Sequence, residues 1–445
     1  MSQEKNINRR RFLKEAAAIT TTAVVFPYFV PASALGKAGT VAPSNRITIG
    51  CIGTGGRGRL NMRAFMAEPD VQVLAVCDVD TPHREKARNE ARLGGSPKSS
   101  YNDFRNLLAR DDIDAVVIST PDHWHVPIAV AAAKAGKDIY CEKPLTLTIA
   151  EGRTLCNVVR RYARVFQTGS QQRSEAGFHF ACDLVRTGRI GQLKIIKVGL
   201  PGSRSIAPQP VMPVPEGFDY DMWLGPAPWK PYTRARCHGK FRHIFDYSGG
   251  KFIDWGTHHL DIVQLALGAD NSGPVQIVGT GEFPKDGIYD TAVKYDIDFT
   301  YANGTTVNAS THHKGGIRFE GNEGWVFVNR GVIDAYPKSL LATVNIRSYK
   351  RQGHYRNFLD SVKLRKDPVA PAEVGHRSAT VCHLGNIAML LAPLEIAQKG
   401  NILQNQRLLT GLGRKLKWDP NNEQFVNDSP ASRMTARSMR PPWHL

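Results

Sequence analysis

The chain reads as an α/β protein: a doubly wound parallel sheet in the N-terminal part and a second, strand-rich domain after it. Three observations carry that reading. Apolar strand-like runs alternate with helical patterns from residue 46 to about 165, the rhythm of βαβ units. The first run, 46–52, passes straight into Gly53-x-Gly55-x-x-Gly58, a turn that brings backbone N–H groups to a phosphate. From residue 276 onward short strands follow one another, with Asn303-Gly304 as a hairpin signal.

The 445 residues suffice for two or three domains with a large core, and 42% hydrophobic and 22% charged residues are ordinary for a globular protein. The net charge of +18 is high. Its lysines and arginines are scattered rather than gathered in a patch or module, which argues against a nucleic-acid partner and leaves a basic protein facing an anionic surface or polymer. The seven cysteines include no Cys-x-x-Cys pair, so neither a disulfide framework nor a metal site is read. No apolar stretch beyond the N-terminus is long enough to span a bilayer.

The elements follow in order. Asn8-Arg9-Arg10-Arg11-Phe12-Leu13-Lys14, an apolar run over 16–30 and Pro31-Ala32-Ser33-Ala34 form a twin-arginine export signal over 1–34. The expected location is therefore periplasmic or otherwise exported. The dinucleotide domain is placed at 46–165. In it Gly53, Gly55, Gly56, Arg57 and Gly58 form the phosphate cradle. The strand 71–78 ends in Asp78, 20 residues after Gly58, where a carboxylate can hold the ribose hydroxyls and repel a 2′-phosphate, favouring NAD over NADP. Capping the next helix is its alternative role. The strand 113–121 delivers Thr120 and Pro121 to the loop that lies along a dinucleotide. His125, just beyond, serves either the cofactor or the start of the next helix. The strand 137–141 ends in Glu142-Lys143-Pro144, aiming Lys143 over the nicotinamide end.

The second domain is placed at 166–400, with a polar tail at 401–445. A helix over 150–162 leads to a strand at 165 that turns polar. Gln171 and Arg173 there are candidates for substrate contact, or simply a solvated turn. A helix at 176–187 and a strand at 193–199 follow. The irregular stretch 201–245 holds Trp223, Trp229 and Tyr232, which argue for order. In Gly249-Gly250-Lys251-Phe252-Ile253-Asp254-Trp255-Gly256-Thr257-His258, helical spacing puts Asp254 and His258 on one face, with His259 a weaker candidate. Beyond it come a helix over 259–267, strands at 276–282, 291–301, 305–312 and 323–329, and helices at 355–364 and 374–398, the last bent by Pro393. His312 and His313 read as structural.

These motifs resemble the Gfo/Idh/MocA family, the glucose-fructose oxidoreductase and inositol dehydrogenase group. The carrying residues are Gly53-x-Gly55-Gly56-Arg57-Gly58, Asp78, Thr120-Pro121-Asp122-His123-Trp124-His125, Glu142-Lys143-Pro144 and Gly249-Gly250-x-x-x-Asp254-x-Gly256-x-His258. The resemblance implies a Rossmann domain followed by an α+β domain with an open, mostly antiparallel sheet. It implies hydride transfer between a sugar or cyclitol hydroxyl and NAD or NADP, and a homo-oligomer. Lys143, Asp254 and His258 would be the catalytic residues: His258 as general base, Asp254 orienting, Lys143 stabilising charge on the oxygen. Glu142 would belong to the cofactor side. The exported branch also resembles NAD-dependent glycosidases that work through a transient keto-sugar. A non-catalytic sugar sensor is the remaining reading, and an intact Lys143, Asp254 and His258 argue against it.

Overall fold

The apolar runs of the N-terminal half form six parallel strands: β1 (Ile47–Ile52), β2 (Val71–Cys77), β3 (Ser100–Tyr101), β4 (Ala115–Ile118), β5 (Asp138–Cys141) and β6 (Phe166–Thr168). Their order is β3-β2-β1-β4-β5-β6. β4 and β5 are buried along their whole length, as strands covered on both faces must be, and so they read as unbroken apolar runs. Helices α1 (Gly56–Met66), α2 (Thr81–Glu90), α3 (Phe104–Leu108), α4 (Asp122–Lys134) and α5 (Ile149–Arg161) make the crossovers. The winding reverses between β1 and β4, which opens a crevice beyond the carboxyl ends of both. β6 pairs with β5, so the parallel sheet runs just past residue 165. The computed structural model describes residues 41–342, 353–392 and 414–445. The expected export signal, the Pro393 bend and the first part of the expected tail lie outside them. Ile47–Leu445 forms one compact unit.

The second sheet has nine strands: β7 (Leu193–Gly199), β8 (Gln276–Glu282), β9 (Lys294–Thr300), β10 (Thr306–Ser310), β11 (Gly316–Gly321), β12 (Trp325–Asn329), β13 (Val332–Tyr336), β14 (Leu416–Asp419) and β15 (Gln424–Phe425). They lie in the order β13-β12-β11-β7-β10-β9-β8-β14-β15. β7 and β10 pair in parallel and the other pairs are antiparallel. In β9 exposed and buried residues alternate, so one face is packed and the other open. β11 and β13 were not expected. β11 begins and ends in glycine and carries Arg318 and Glu320; its place is set by pairing with β7 and β12, not by a run of its own. The C-terminal segment, expected as a polar tail, instead supplies β14 to the edge of this sheet through Leu416 and Trp418, both buried.

Among the described residues four more helices of over ten residues finish the frame: α6 (Ala176–Arg186), α7 (Gly250–Leu267), α8 (His354–Leu364) and α9 (Ala372–Leu391). α9 packs on α7 and β8 and also on α5 and β6, so it joins the two sheets. It is buried nearly throughout, which is why its sequence shows no polar face. α7 starts at Gly250, earlier than the expected 259. Gly250 has φ +83°, and a Cβ there would stand 2.7 Å from Cβ of Thr291, so only glycine turns the chain into this helix without strain. The Ser203 hydroxyl then accepts the Lys251 N–H at 3.0 Å.

The irregular stretch is ordered by its own small core of Phe218, Tyr220, Trp223, Tyr232 and Tyr247, whereas Trp229 is exposed. The C-terminus straps it down. Thr435 O accepts from Ala150 N at 3.0 Å. Arg440 donates to Gly225 O at 2.9 Å and to Asp221 Oδ1 at 2.6 Å. Trp443 packs edge-on against Trp124 with ring centroids 4.7 Å apart.

Burial sets the acid stability of this fold. Burial pushes the imidazoles of His123, His259 and His354 down to about 4 and that of His383 to about 3. Below 6.5 the unfolded chain binds protons that these folded-state rings do not, so stability falls as pH falls. Burial raises Glu151 to about 7 and Asp290 to about 6, and lifts Asp78, Asp122, Glu175 and Asp261 as well. These six carboxyls act in the opposite sense, against seven lowered imidazoles once His238, His243 and His258 are included. The thermal midpoint is expected to drop between about pH 7 and about pH 4.5, with net proton uptake on unfolding near pH 5. Net proton release there would contradict the assignment.

Candidate active site

The site grows from the end of β1. A Cβ on Gly58 would fall 1.9 Å from Gly53 O, so glycine is what lets α1 begin this close to the turn. The free N–H groups of α1 open into a cavity of about 410 Å³ lined by Gly53, Gly55, Gly56, Arg57, Asp78, Thr120 and Pro121 among others. Asp78 accepts from Thr54 N at 2.6 Å and Asp80 N at 3.0 Å, tying the end of β2 to the glycine turn. Burial pushes its carboxyl up, and those N–H donors oppose the rise. Thr120 Oγ1 is buried and has no hydrogen-bond partner among the described residues. A glycine turn, a carboxylate and an orphaned hydroxyl around one cleft fit a dinucleotide. Asp80, His83 and His238 meet at the rim with ligand-type atoms within 4.8 Å of one another, although no metal-ligand spacing joins them in the sequence; Asp80 Oδ1 also accepts the His83 N–H at 3.0 Å as the cap of α2.

A second cavity of about 560 Å³ shares Arg57, Thr120 and Arg242 with the first. Lys143, Asp254 and His258 all face it. Lys143 leaves the end of β5, and its Nζ donates to Asp254 Oδ1 and Asp254 O, each at 2.7 Å. Asp254 also accepts from Lys251 Nζ at 2.7 Å and Arg242 Nε at 3.3 Å. Burial alone would raise this carboxyl, yet the three cations hold it far below the ordinary carboxylate range. Asp254 is expected to orient the imidazole or the substrate hydroxyl; the structure commits its oxygens to the three cations.

His258 stands one turn after Asp254 and is buried. Burial first, then the charges of Lys143 and Arg330, push its imidazole well below the usual value, so the ring is neutral and can accept a proton. Its Nδ1 has no hydrogen-bond partner among the described residues. The neighbouring His259 is not among the residues lining the cavity and packs by the Phe178 ring. Gln172, with its amide oriented by its neighbours, donates to His258 O at 2.9 Å and accepts from Arg330 Nε at 3.3 Å.

The other candidates divide. Glu142 binds Arg57 Nε at 2.7 Å and Asn61 at 3.0 Å; burial raises its carboxyl, but Arg57 and Lys143 bring it below normal. Gln171 lines the cavity and donates to Tyr140 Oη at 2.9 Å and Glu142 at 3.1 Å. His125 also lines it, yet its two nitrogens face Pro144 O at 2.6 Å and Thr120 O at 2.9 Å. Its polar atoms are spent on holding the turn that carries Lys143. Arg173 is corrected: its side chain is 3% exposed and its guanidinium is enclosed by Asp261 at 2.8 Å and Asp270 at 2.7 Å, leaving nothing for a substrate. The reading of the sequence missed Arg242, Lys251, Trp255, Arg330 and Tyr355, which line the same cavity. Only Lys251, three residues before Asp254 on one helix, offered a spacing by which to find it.

Comparison with known proteins agrees with this geometry. Residues 47–170 match the description "Oxidoreductase family, NAD-binding Rossmann fold", and residues 197–405 match "Oxidoreductase family, C-terminal alpha/beta domain". A protein of Shewanella sp. (strain ANA-3) named "Glycosyl hydrolase family 109 protein 1" is 33% identical over 207 residues, 42% of this chain and 44% of that protein. The alignment thus spans less than half the length of such curated relatives. The WlbA dehydrogenase from Bordetella pertussis, solved with NADH and UDP-GlcNAcA, superposes with TM-score 0.58 at 17% identity, covering 76% of this chain and 94% of that one. A levoglucosan dehydrogenase solved with NADH and levoglucosan gives TM-score 0.56 at 18% identity, covering 76% and 95%. These two likenesses are of fold.

The Asp254 cluster gives a stability test. Asp254→Asn leaves three cations around a neutral amide. With Lys251 and Arg242 partly solvated, the expected loss is about 1–3 kcal/mol in urea unfolding, recovered in part at high salt. An unchanged or higher midpoint would refute a clamp that stabilises the fold.

Proposed function

The chain belongs to the Gfo/Idh/MocA oxidoreductase family, and from that premise we propose that it oxidises a hydroxyl of a carbohydrate or polyol with NAD. The observation that carries the reading is the 2.7 Å contact of Lys143 with Asp254, facing the same cavity as a neutral His258 and bordering the dinucleotide cradle. A bound nicotinamide supplies the hydride acceptor. The protein supplies the rest. His258 takes the hydroxyl proton as general base, and the charges that keep it neutral keep it ready. Lys143 donates to the substrate oxygen and stabilises the negative charge that develops there. Asp254 holds Lys143 in place and, with Arg242 and Lys251, fixes the charge of that wall. His125 anchors the turn behind Lys143. Gly53, Gly55, Gly56, Gly58 and Thr120 hold the phosphates, and Asp78 takes the adenosine ribose and favours NAD over NADP.

A second reading is hydrolysis of a glycosidic bond through a transient keto-sugar, with the cofactor restored in each cycle. The Shewanella relative named for a glycosyl hydrolase family supports it. So would export through the signal proposed at residues 1–34, since a recycled cofactor needs no external pool. The same residues begin both reactions. Reduced nicotinamide that accumulates with free sugars supports the dehydrogenase. Release of an aglycone with no net change in cofactor supports the hydrolase.

His258→Ala is expected to bind NAD normally and to lose roughly 10²–10⁴-fold in turnover. The wild-type acid limb should lie well below pH 6.5, because the base is neutral down to its lowered value. Normal turnover in that variant would remove His258 from the role of base.

A further inference from the structure

The charge around this site bears on what else the substrate carries. Five cationic side chains line the larger cavity: Arg57, Lys143, Arg242, Lys251 and Arg330. Arg57 is matched by Glu142 at 2.7 Å. The opposite group is not matched, since Lys143, Arg242 and Lys251 converge on the single carboxylate of Asp254. Arg330 makes no ion pair with a described residue at salt-bridge distance; its guanidinium lies 5.0 Å over the Trp255 ring. The remaining acids do not restore the balance. Asp122 accepts from Ser248 Oγ at 2.5 Å, and burial raises both it and Glu175, drawing each toward its neutral form. Partly desolvated cations in such excess are costly unless an anion joins them.

We propose that the sugar handled here carries an anionic substituent, held by Lys251, Arg242 and Arg330 while Lys143 and His258 act on its hydroxyl. The substituent is a carboxylate, as in a uronate, or a sulfate ester; both present the same oxyanion to a guanidinium and an ammonium. The proposal rests on the oxidoreductase reading of the same cavity. Two further observations favour it. A proton arriving on His258 enters the field of Lys143 and Arg330, and an anion on the substrate offsets that cost where a neutral sugar offers nothing. The net charge of +18 draws acidic saccharides toward the protein before they bind. Lys251 and Arg242 keep 28% and 31% of their side-chain surface, enough to meet a ligand without unfolding the clamp.

The test is calorimetric titration of the full chain with NAD present, using D-glucuronate, D-galacturonate, D-glucose 6-sulfate and the neutral sugars D-glucose and D-galactose. At least one acidic sugar is expected to bind about tenfold or more tightly than its neutral counterpart, with an advantage that shrinks as salt rises. The comparison of uronates with the sulfate ester identifies the substituent. Arg330→Gln and Lys251→Gln, checked for folding by thermal midpoint and for NAD binding, are each expected to narrow the acidic-to-neutral gap about tenfold. Neutral sugars that bind as tightly as acidic ones, no binding of any acidic sugar, or a gap unmoved in both variants would overturn the proposal. Acid-selective binding without any reduction of the cofactor would leave the charge assignment standing and remove the redox reading instead.

Discussion

The rest of the site depends on the ion pair between Lys143 and Asp254. Lys143 follows the end of a strand in the parallel sheet and Asp254 lies in the second turn of a helix that packs in the second half of the molecule. Their two hydrogen bonds at 2.7 Å join the Rossmann sheet to the helix that carries His258. An isolated exposed pair of this kind would be worth little. This one is 12% and 9% exposed in its side chains, so neither partner can be lost cheaply.

That pair also sets the electrostatics of its neighbours. Lys143, Arg242 and Lys251 hold Asp254 ionised, and Lys143 together with Arg330 helps burial to keep His258 neutral. Burial first, and the cations near it second, leave His258 a neutral imidazole, the state the proposed base requires. The consequence is a cavity that is short of negative charge. The acidic sugar proposed above would complete the arrangement, its anion offsetting the cost of placing a proton on His258.

Much of this was legible in the sequence because it is local. The glycine turn, Asp78 and Lys143 each sit at the end of an apolar run, and Asp254 and His258 are one helical turn apart. What was not legible is what arrives from a distance. Arg242 comes from the irregular stretch and Arg330 from the hairpin after β12, and neither has a neighbour in sequence that marks it. Arg173 failed for the same reason: its charge is absorbed by Asp261 and Asp270, and only the folded chain shows that both carboxylates close on it. His125 stood between two roles until its nitrogens were seen to face two backbone carbonyls. β11 was missed because its pairing, not its composition, makes it a strand. The C-terminal segment is polar and still contributes β14, because two buried side chains, Leu416 and Trp418, suffice at a sheet edge.

The most direct measurement follows a single hydride. The full chain loaded with NAD is mixed with a sugar deuterated at every ring carbon, and the cofactor is recovered after one turnover and weighed by mass spectrometry. Deuterium on the nicotinamide in the wild type, and its absence in Lys143→Met and His258→Ala with cofactor still bound, is the result this account requires. A cofactor that stays unlabelled while substrate is consumed, with a product that has exchanged none of its ring deuterium for solvent hydrogen, would mean that the chemistry at Lys143, Asp254 and His258 is not hydride transfer; an unlabelled cofactor with one ring deuterium lost to solvent would mark the hydrolase that returns its hydride.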